Sequence, residues 1–292
     1  MKEQIQEFLE YLTVEKGYSD NTLAAYRNDL SQFYTYVEPR VSSWDKVDQD
    51  IIMNYIMFMK GEQEYASSTV ARKVAAIKSF FHYLADCGKV SDDPTATLDS
   101  PKVRKRLPVA ISQEEMERLL REPAREDTPK ALRDRALLEV LYATGLRVTE
   151  LVSLNVEDVN LASATVRVVH PKDNRDRLVP VHERALEPLS GYLERGRVQL
   201  LRDPEETALF LNHRGQRLTR QGLWLIVKHY VREVGIKEEV TPHTLRHTFA
   251  AHLLSQKAEL EYVQELLGHA NISTTQVYAQ VSGDEASDKN TE

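Results

Sequence analysis

A proline-containing segment over residues 91–108 most constrains how this chain can fold. It holds prolines at positions 94, 101 and 108 and has no hydrophobic period, which is typical of a connection between folded regions. Because 292 residues suffice for two domains, one domain is predicted on either side. We place these domains at residues 1–98 and 110–281, with a basic linker over 99–109 and a flexible acidic tail over 282–292.

The region before this segment is predicted to be a four-helix domain. Apolar residues recur there at the i, i+3, i+4, i+7 spacing of amphipathic helices. The helices are predicted to begin at about residues 2, 20, 48 and 67 and to end before Gly17, Pro39, Gly61 and Gly88. The outer side of the fourth helix is predicted to display Arg72, Lys73 and Lys78, so a small bundle with one basic helix is expected.

The region after the segment mixes two hydrophobic periods. Ser112 opens it with a capping-box sequence, Ser-Gln-Glu-Glu. Residues 165–169 and 177–180 alternate around a turn-rich stretch and predict a β-hairpin, which a short strand at 208–211 is expected to join. Helices are predicted near 112–121, 130–143, 219–234, 242–256, 259–267 and 273–281. The chain is therefore predicted to be mainly α with a small antiparallel β-sheet.

Local charge matters more here than the net charge of −7. Three stretches, 65–85, 101–106 and 207–232, hold basic residues and no acid. One such run is usually a solvated helix face, but polyanion binding requires only a basic face, not a basic average. The candidate contacts to a nucleic-acid backbone are Arg72, Lys73, Lys78, Lys102, Arg104, Lys105, Arg106, Arg214, Arg217 and Arg220.

Several classes of protein are not indicated. No glycine-rich loop for ATP or a dinucleotide is present, and Cys87 is the only cysteine, so neither a disulfide within the chain nor a cysteine zinc site can form. His243 and His247 have the spacing of a zinc protease pair, but Thr244 stands where its glutamate would be. We predict no cofactor and no metal. With no signal peptide and no apolar run that could span a bilayer, we expect a cytoplasmic protein.

The most informative motif lies at a predicted helix start. Thr241 is a good N-cap and Pro242 a good first helical residue, so His243 and Arg246 fall one turn apart on one face. The helix dipole also favours an anion there. An isolated pair of this kind would more often be a cap and a surface ion pair. Downstream, Leu267-Gly268-His269 ends a helix, and Tyr278 follows nine residues after His269.

Taken together, these segments resemble the tyrosine recombinase (phage integrase) family and, within it, the Xer-type recombinases. The segment 143–151, Ala-Thr-Gly-Leu-Arg-Val-Thr-Glu-Leu, is similar to the one that carries the family's first catalytic arginine, and the hairpin segment is similar to the one with its catalytic lysine. The catalytic residues that the resemblance implies are Arg147, Lys172, His243, Arg246, His269 and Tyr278, with Glu150 orienting Arg147. The front half resembles the family's core-binding (arm) domain, and a clamp of the two domains around DNA is implied.

The resemblance also implies a mechanism. Tyr278 is the nucleophile, His243 its base, Lys172 the acid for the leaving 5′-oxygen and His269 a donor to the phosphate. Two features differ from the family's usual pattern. Lys172 lies in a Pro-Lys-Asp turn instead of a Gly-Lys-Gly turn, and the tail after Tyr278 has little apolar surface for docking on a neighbouring subunit.

The implied function is site-specific recombination of double-stranded DNA through a 3′-phosphotyrosine intermediate, with a role in resolving chromosome or plasmid dimers. The implied partners are three further copies on two DNA sites, or a paralogous recombinase in a hetero-tetramer, together with a division-associated DNA translocase. Two alternatives stay open at this point. One is a nicking and sealing enzyme similar to type IB topoisomerases, and the other is an architectural DNA-binding protein that cleaves nothing.

Overall fold

A computed structural model describes residues 1–99, 110–169 and 176–268. The chain divides into two compact units, Met1–Lys105 and Arg106–Glu292. The predicted linker residues 100–109, the acidic tail and the helix expected over 273–281 lie outside the described residues. Among the helices that are described, none is long and apolar enough to cross a membrane.

Four helices form the part of the first unit that the structure describes, residues 1–99, as predicted. Their bounds are Lys2–Val14 (α1), Asp20–Val37 (α2), Gln49–Gly61 (α3) and Ser67–Asp86 (α4), with a short 3-10 turn at Trp44–Lys46. Side chains cap the starts of two of these helices: Ser19 accepts from the backbone N of Thr22, and Asp48 from that of Ile51. The core combines aliphatic side chains with several aromatic rings, of which the most buried are those of Phe8, Phe33, Trp44, Phe80 and Phe81.

The predicted basic face of α4 is wrong at Lys73, which points into the core. Its side chain is 3% exposed, and Nζ donates to Asp29 Oδ1 and Gln32 Oε1, each at 2.9 Å. Lys73 lies three residues after Val70 and four before Ile77, so it falls within the apolar stripe of the helix. It is a structural cation and does not belong to the surface. Arg72 pairs with the same carboxylate, and Lys78 Nζ donates to the carbonyl of Leu98 at 2.7 Å.

The second unit is mainly helical around a small sheet. Its helices are Gln113–Arg121 (α5), Pro129–Thr144 (α6), Val148–Ser153 (α7), Glu183–Gly191 (α8), Val198–Leu200 (α9), Arg220–Glu233 (α10), Pro242–Ser255 (α11) and Leu260–Leu267 (α12). A π-helical turn, Tyr192–Arg197, joins α8 to α9. The sequence did not indicate α8, which contains Pro188. The capping box predicted at Ser112 is present, with Glu115 as its partner.

The sheet is antiparallel with the order β1-β2-β3, formed by Val159–Asn160, Thr165–Val168 and Arg177–Pro180. The predicted hairpin is confirmed, with Val166 opposite Val179. The third strand is not the expected segment at 208–211. Ala208 and Leu211 form only isolated bridges, to Asn155 and Arg217. Residues 208–211 are all buried in the core, so the segment packs as core and does not extend the sheet.

Helix α6 is the central element of this unit. Leu137, Leu138, Val140 and Leu141 are fully buried, so the helix is enclosed by neighbours and does not show a single apolar stripe. It ends at Gly145. The C-terminus of α6, the C-terminus of α12 and the N-terminus of α7 are joined by the hydrogen bonds of Arg147 and Arg246.

Candidate active site

Gly145 forms the turn that positions the first candidate catalytic arginine. Its backbone is left-handed, with φ 58° and ψ 24°, a conformation that glycine adopts without strain. A Cβ at this position would lie 2.3 Å from Cδ1 of Phe249, so no larger residue fits. The chain then turns through buried Leu146 and places Arg147 at the N-cap of α7.

Glu150 holds Arg147 in two ways. Its Oε2 accepts from the backbone N of Arg147 at 2.8 Å, and its Oε1 accepts from Nη1 of the same residue at 3.1 Å. Burial of this carboxylate disfavours its charged form, but hydrogen bonds from Arg177 and Arg147 and the charges of both guanidinium groups outweigh that effect, so the pKa of Glu150 lies below its ordinary value. The carboxylate is therefore ionised at neutral pH and holds Arg147 through the backbone N and Nη1.

Arg177 is part of this cluster, and it was not predicted from the sequence. Its Nη1 and Nη2 donate to the two oxygens of Glu150 at 2.9 and 3.1 Å, the bidentate geometry typical of arginine and carboxylate. A signal was present in the sequence, because Arg177 shares the inward face of β3 with Val179. An arginine at a buried strand position requires an acid partner.

Arg246 lies one turn into α11, in the position that the capping pattern predicts. Thr241 is the N-cap, its side chain accepts from the backbone N of Thr244, and Pro242 is the first helical residue. Arg246 is only 3% exposed. It is not the surface ion pair expected of an isolated motif, since it donates to the carbonyl of Gly145 and, at 2.7 Å, to that of Leu267. Both carbonyls stand at helix C-termini, where the dipole favours a cation.

The end of α12 brings the two arginines together. Arg246 Nη2 donates to the carbonyl of Leu267, and Arg147 Nη2 donates to the next carbonyl, that of Gly268, at 2.8 Å. Gly268 ends the helix in the left-handed conformation, with φ 62°. Two guanidinium groups from distant parts of the chain are therefore anchored on consecutive peptide groups. Such a pair can bind an anion with several oriented N–H donors.

His243 is the third predicted catalytic residue, after Arg147 and Arg246, in the described part of the chain. Its Nε2 lies 2.8 Å from Nε2 of His247, one turn further along α11. Partial burial, and then the positive charge of Arg246, lower the pKa of His243 from its ordinary value of 6.5. The imidazole is consequently neutral at pH 7 and can accept a proton.

The remaining predicted residues divide into three groups. Lys172, His269 and Tyr278, and the linker residues Lys102, Arg104, Lys105 and Arg106, lie outside the described residues. Arg214 and Arg220 are exposed. Arg217 was predicted to contact DNA, but its guanidinium has acceptors within the protein. It donates to the carbonyls of Val152 and Leu154 at 3.0 and 2.9 Å and also to Asn155. It therefore caps the C-terminus of α7.

Comparison with known proteins shows which family the chain resembles. The Phage integrase family profile matches residues 110–285, and the phage integrase N-terminal SAM-like domain matches residues 5–88. The chain is 50% identical over 287 residues to Tyrosine recombinase XerC of Herpetosiphon aurantiacus, covering 98% of this chain and 93% of the relative. It is 44% identical over 285 residues to Tyrosine recombinase XerD of Listeria innocua, covering 97% and 95%.

A solved structure shares the fold. XerH site-specific recombinase, bound to a palindromic difH substrate in a post-cleavage complex, aligns with a TM-score of 0.78 and 22% identity over 99% of this chain and 88% of its own. The predicted class, mainly α with a small antiparallel sheet, is therefore confirmed. The predicted enzyme class is confirmed by the family profile and the relatives of 44–50% identity. Because the family match covers more than half of the chain and relatives match it at 44–50% identity over nearly its whole length, the chain belongs to the phage integrase family, as a tyrosine recombinase of the Xer type.

Proposed function

We propose that this recombinase cleaves and rejoins duplex DNA at one short site, with Arg147 and Arg246 binding the scissile phosphate. The observation that carries the proposal is the anchoring of both guanidinium groups on the consecutive carbonyls of Leu267 and Gly268. Attack on a phosphodiester places additional negative charge on the non-bridging oxygens in the transition state. Fixed N–H donors at those oxygens stabilise that charge without reorganising.

The proposed nucleophile is the hydroxyl of Tyr278. Its oxygen forms a bond to phosphorus as the bond from phosphorus to the 5′-oxygen breaks, which leaves a 3′-phosphotyrosine and a free 5′-hydroxyl. His243 accepts the phenol proton, a role that its lowered pKa supports. Lys172 supplies the proton of the leaving 5′-oxygen, and His269 donates to the phosphate. The roles of Lys172, His269 and Tyr278 rest on the family's motifs.

Rejoining is the same step in reverse with another strand. An incoming 5′-hydroxyl attacks the phosphotyrosine and expels the phenol, so the energy of the original bond is retained. Such a cycle requires no ATP. It agrees with the absence of a P-loop sequence anywhere in the chain.

For DNA binding we propose a clamp in which the helical unit contacts one side of the duplex and the catalytic unit the other. Arg72, Lys78, Arg214 and Arg220 stay in the proposed set of phosphate contacts, with the linker residues Lys102, Arg104, Lys105 and Arg106. Each such contact adds to affinity and to its salt dependence. The palindromic substrate named for XerH supports a short, roughly symmetric target.

The proposed assembly is four protomers on two DNA sites, either copies of this chain or two paired with a paralogue. The biological role would be resolution of chromosome or plasmid dimers in the cytoplasm at cell division, together with a division-associated DNA translocase. The relatives named XerC and XerD support this proposed role. They also favour recombination over a topoisomerase-like or a purely architectural role.

The test is covalent trapping on a nicked suicide substrate that carries the target site. Wild-type protein should form an adduct that survives denaturing electrophoresis, and Tyr278→Phe should bind DNA equally well but form none. An adduct with the phenylalanine variant would show that the nucleophile is wrongly assigned. Relaxation of supercoiled DNA of any sequence would instead favour the topoisomerase alternative.

A further inference from the structure

We propose that Arg177 is a positioning residue for strand cleavage, which sets the orientation of Arg147 by holding both groups on which Arg147 is anchored. The inference rests on the proposed role of Arg147 at the scissile phosphate. Nothing in the sequence motifs assigns a role to Arg177. It comes from a strand, β3, whereas Arg147 and its two anchors come from α7 and the end of α12.

The first anchor is the carboxylate of Glu150, which accepts four hydrogen bonds. Two come from Arg147, through its backbone N and Nη1, and two from Arg177, through Nη1 and Nη2. Arg177 therefore uses both of its terminal nitrogens on this carboxylate, and Arg147 uses one. The carboxylate cannot rotate without losing the bidentate pair, so Arg177 determines where Glu150 presents its oxygen to Arg147.

The second anchor is the carbonyl of Gly268. It accepts from Arg147 Nη2 at 2.8 Å. A Cβ built on Gly268 would lie 3.0 Å from Cζ of Arg177 and 3.2 Å from its Nη1, so the guanidinium plane packs directly against this residue. Displacement of Arg177 would therefore also remove the group that packs against the residue whose carbonyl accepts from Arg147.

Exposure and charge assign different tasks to the two arginines. The side chain of Arg177 is 23% exposed and that of Arg147 39% exposed, while the Glu150 side chain between them is 10% exposed. One carboxylate faces two guanidinium groups, so the cluster keeps a positive charge. Because Arg177 takes the bidentate position, Arg147 keeps further N–H donors on its more open side for a phosphate.

Lysine cannot replace Arg177 in this arrangement. An ammonium group is a point donor, so it cannot hold both carboxylate oxygens in one plane or pack flat against Gly268. We expect Arg177→Lys to keep the charge of the cluster and to lose the alignment of Arg147. Loss of residues that orient catalytic groups typically costs about 10- to 100-fold in activity.

The experiment is a double-mutant cycle on the full-length protein. Single-turnover cleavage of the suicide substrate is measured for wild type, Arg177→Lys, Arg147→Ala and the double variant, and DNA affinity is measured separately. We expect Arg177→Lys to lower the cleavage rate constant about 10- to 100-fold, to leave DNA affinity within about twofold, and to cost nothing further in the Arg147→Ala background. An unfolded fraction would change the amplitude of a single turnover and not its rate constant.

Arg184→Lys is the matched control. Arg184 also pairs with two carboxylates in the same unit, Glu117 and Glu139, but contacts neither arginine of the site, so its rate constant should equal that of wild type. A second probe is a DNA in which the scissile phosphate is a neutral methylphosphonate. On that substrate the penalties of Arg147→Ala and Arg177→Lys should shrink together, because less charge remains to be stabilised.

Three outcomes would each overturn the inference and leave the proposed function intact. The first is that the two losses add fully in the double variant, and the second is an unchanged rate for Arg177→Lys. The third is a penalty of Arg177→Lys that persists on the methylphosphonate while the penalty of Arg147→Ala shrinks. Absence of any covalent adduct with the wild-type protein would instead remove the proposed function, and this inference with it.

Discussion

Lys73 in the helical unit and Arg246 in the second unit are both buried, and they are held in different ways. In the helical unit Lys73 meets the carboxylate of Asp29, which cancels its charge locally. In the second unit the acceptors described for Arg246 are two backbone carbonyls, those of Gly145 and Leu267, which are neutral. A buried cation that is held by a carboxylate serves the fold. One that donates to backbone carbonyls is fixed in place by the ends of two helices.

The largest effect should come from changing the carbonyl-bound cation. Arg246→Lys keeps the charge but cannot bond both carbonyls and a phosphate oxygen in one plane. We expect cleavage of the suicide substrate to fall about 10³-fold. Arg135→Lys, which alters a pair with Glu187, is the control and should cleave normally. Equal rates for Arg246→Lys and wild type would mean that charge alone is needed there.

A change to the carboxylate-bound cation should affect stability and not chemistry. Asp29→Asn leaves Lys73 buried without its counter-charge, and we expect about 3–4 kcal/mol less stability of the helical unit. Urea unfolding followed by the fluorescence of Trp44, in a Trp224→Phe background, measures this. The double change Asp29→Leu with Lys73→Met should recover most of the loss. A lower cleavage rate constant in folded Asp29→Asn would contradict the division between the two units.

Two left-handed glycines, one in each unit, offer a matched pair. Gly88 has φ 64° and no atom within 4 Å of the point that a Cβ would occupy, whereas a Cβ on Gly145 would meet Phe249 at 2.3 Å. We expect Gly88→Ala to cost about 1 kcal/mol from backbone strain alone. Gly145→Ala should cost about 3 kcal/mol, since overpacking adds to the strain, and should also slow cleavage. Thermal unfolding of both variants checks this, and equal losses would show that the contact with Phe249 is relieved easily.

The smallest effect concerns the titration of His243. Its pKa is lowered by partial burial and then by the charge of Arg246, so Arg246→Gln should raise it part of the way back toward 6.5. Because the folded-state pKa lies below the unfolded value, the stability linked to this group is present above pH 6.5 and is lost as the pH falls through the folded-state pKa. Titration of the imidazole signals by NMR measures the change, and an unchanged pKa would show that burial acts alone.

Much of the architecture could be predicted from local patterns. Helix caps at Ser19, Asp48, Ser112 and Thr241 depend on a few adjacent residues, and all four are present in the structure. The hairpin was also predictable, because alternation over two short runs specifies its pairing. The strand at Val159–Asn160 and the helix Glu183–Gly191 were not. The first is too short to show a period, and the second contains a proline.

The site was predictable to the extent that motifs name residues. Arg147, Glu150, His243 and Arg246 were identified from their segments, and the structure groups Arg147 with Glu150 and Arg246 with the end of α12. The orientation of the Lys73 side chain was predicted wrongly. From the sequence, a basic side chain that points into the core cannot be distinguished from one that points to solvent until its partner is known. Asp29 lies 44 residues away in the chain.

Residue types at short spacing thus specify the helices, their caps and the family, because capping and periodicity act within a few residues. Which partners hold each buried cation depends on residues that lie far apart in the chain: Arg147 meets Gly268 across 121 positions, and Arg246 meets Gly145 across 101. Hydrogen bonds and charge pairs act over a few ångströms in space, whatever the distance along the chain, so only folding assigns them.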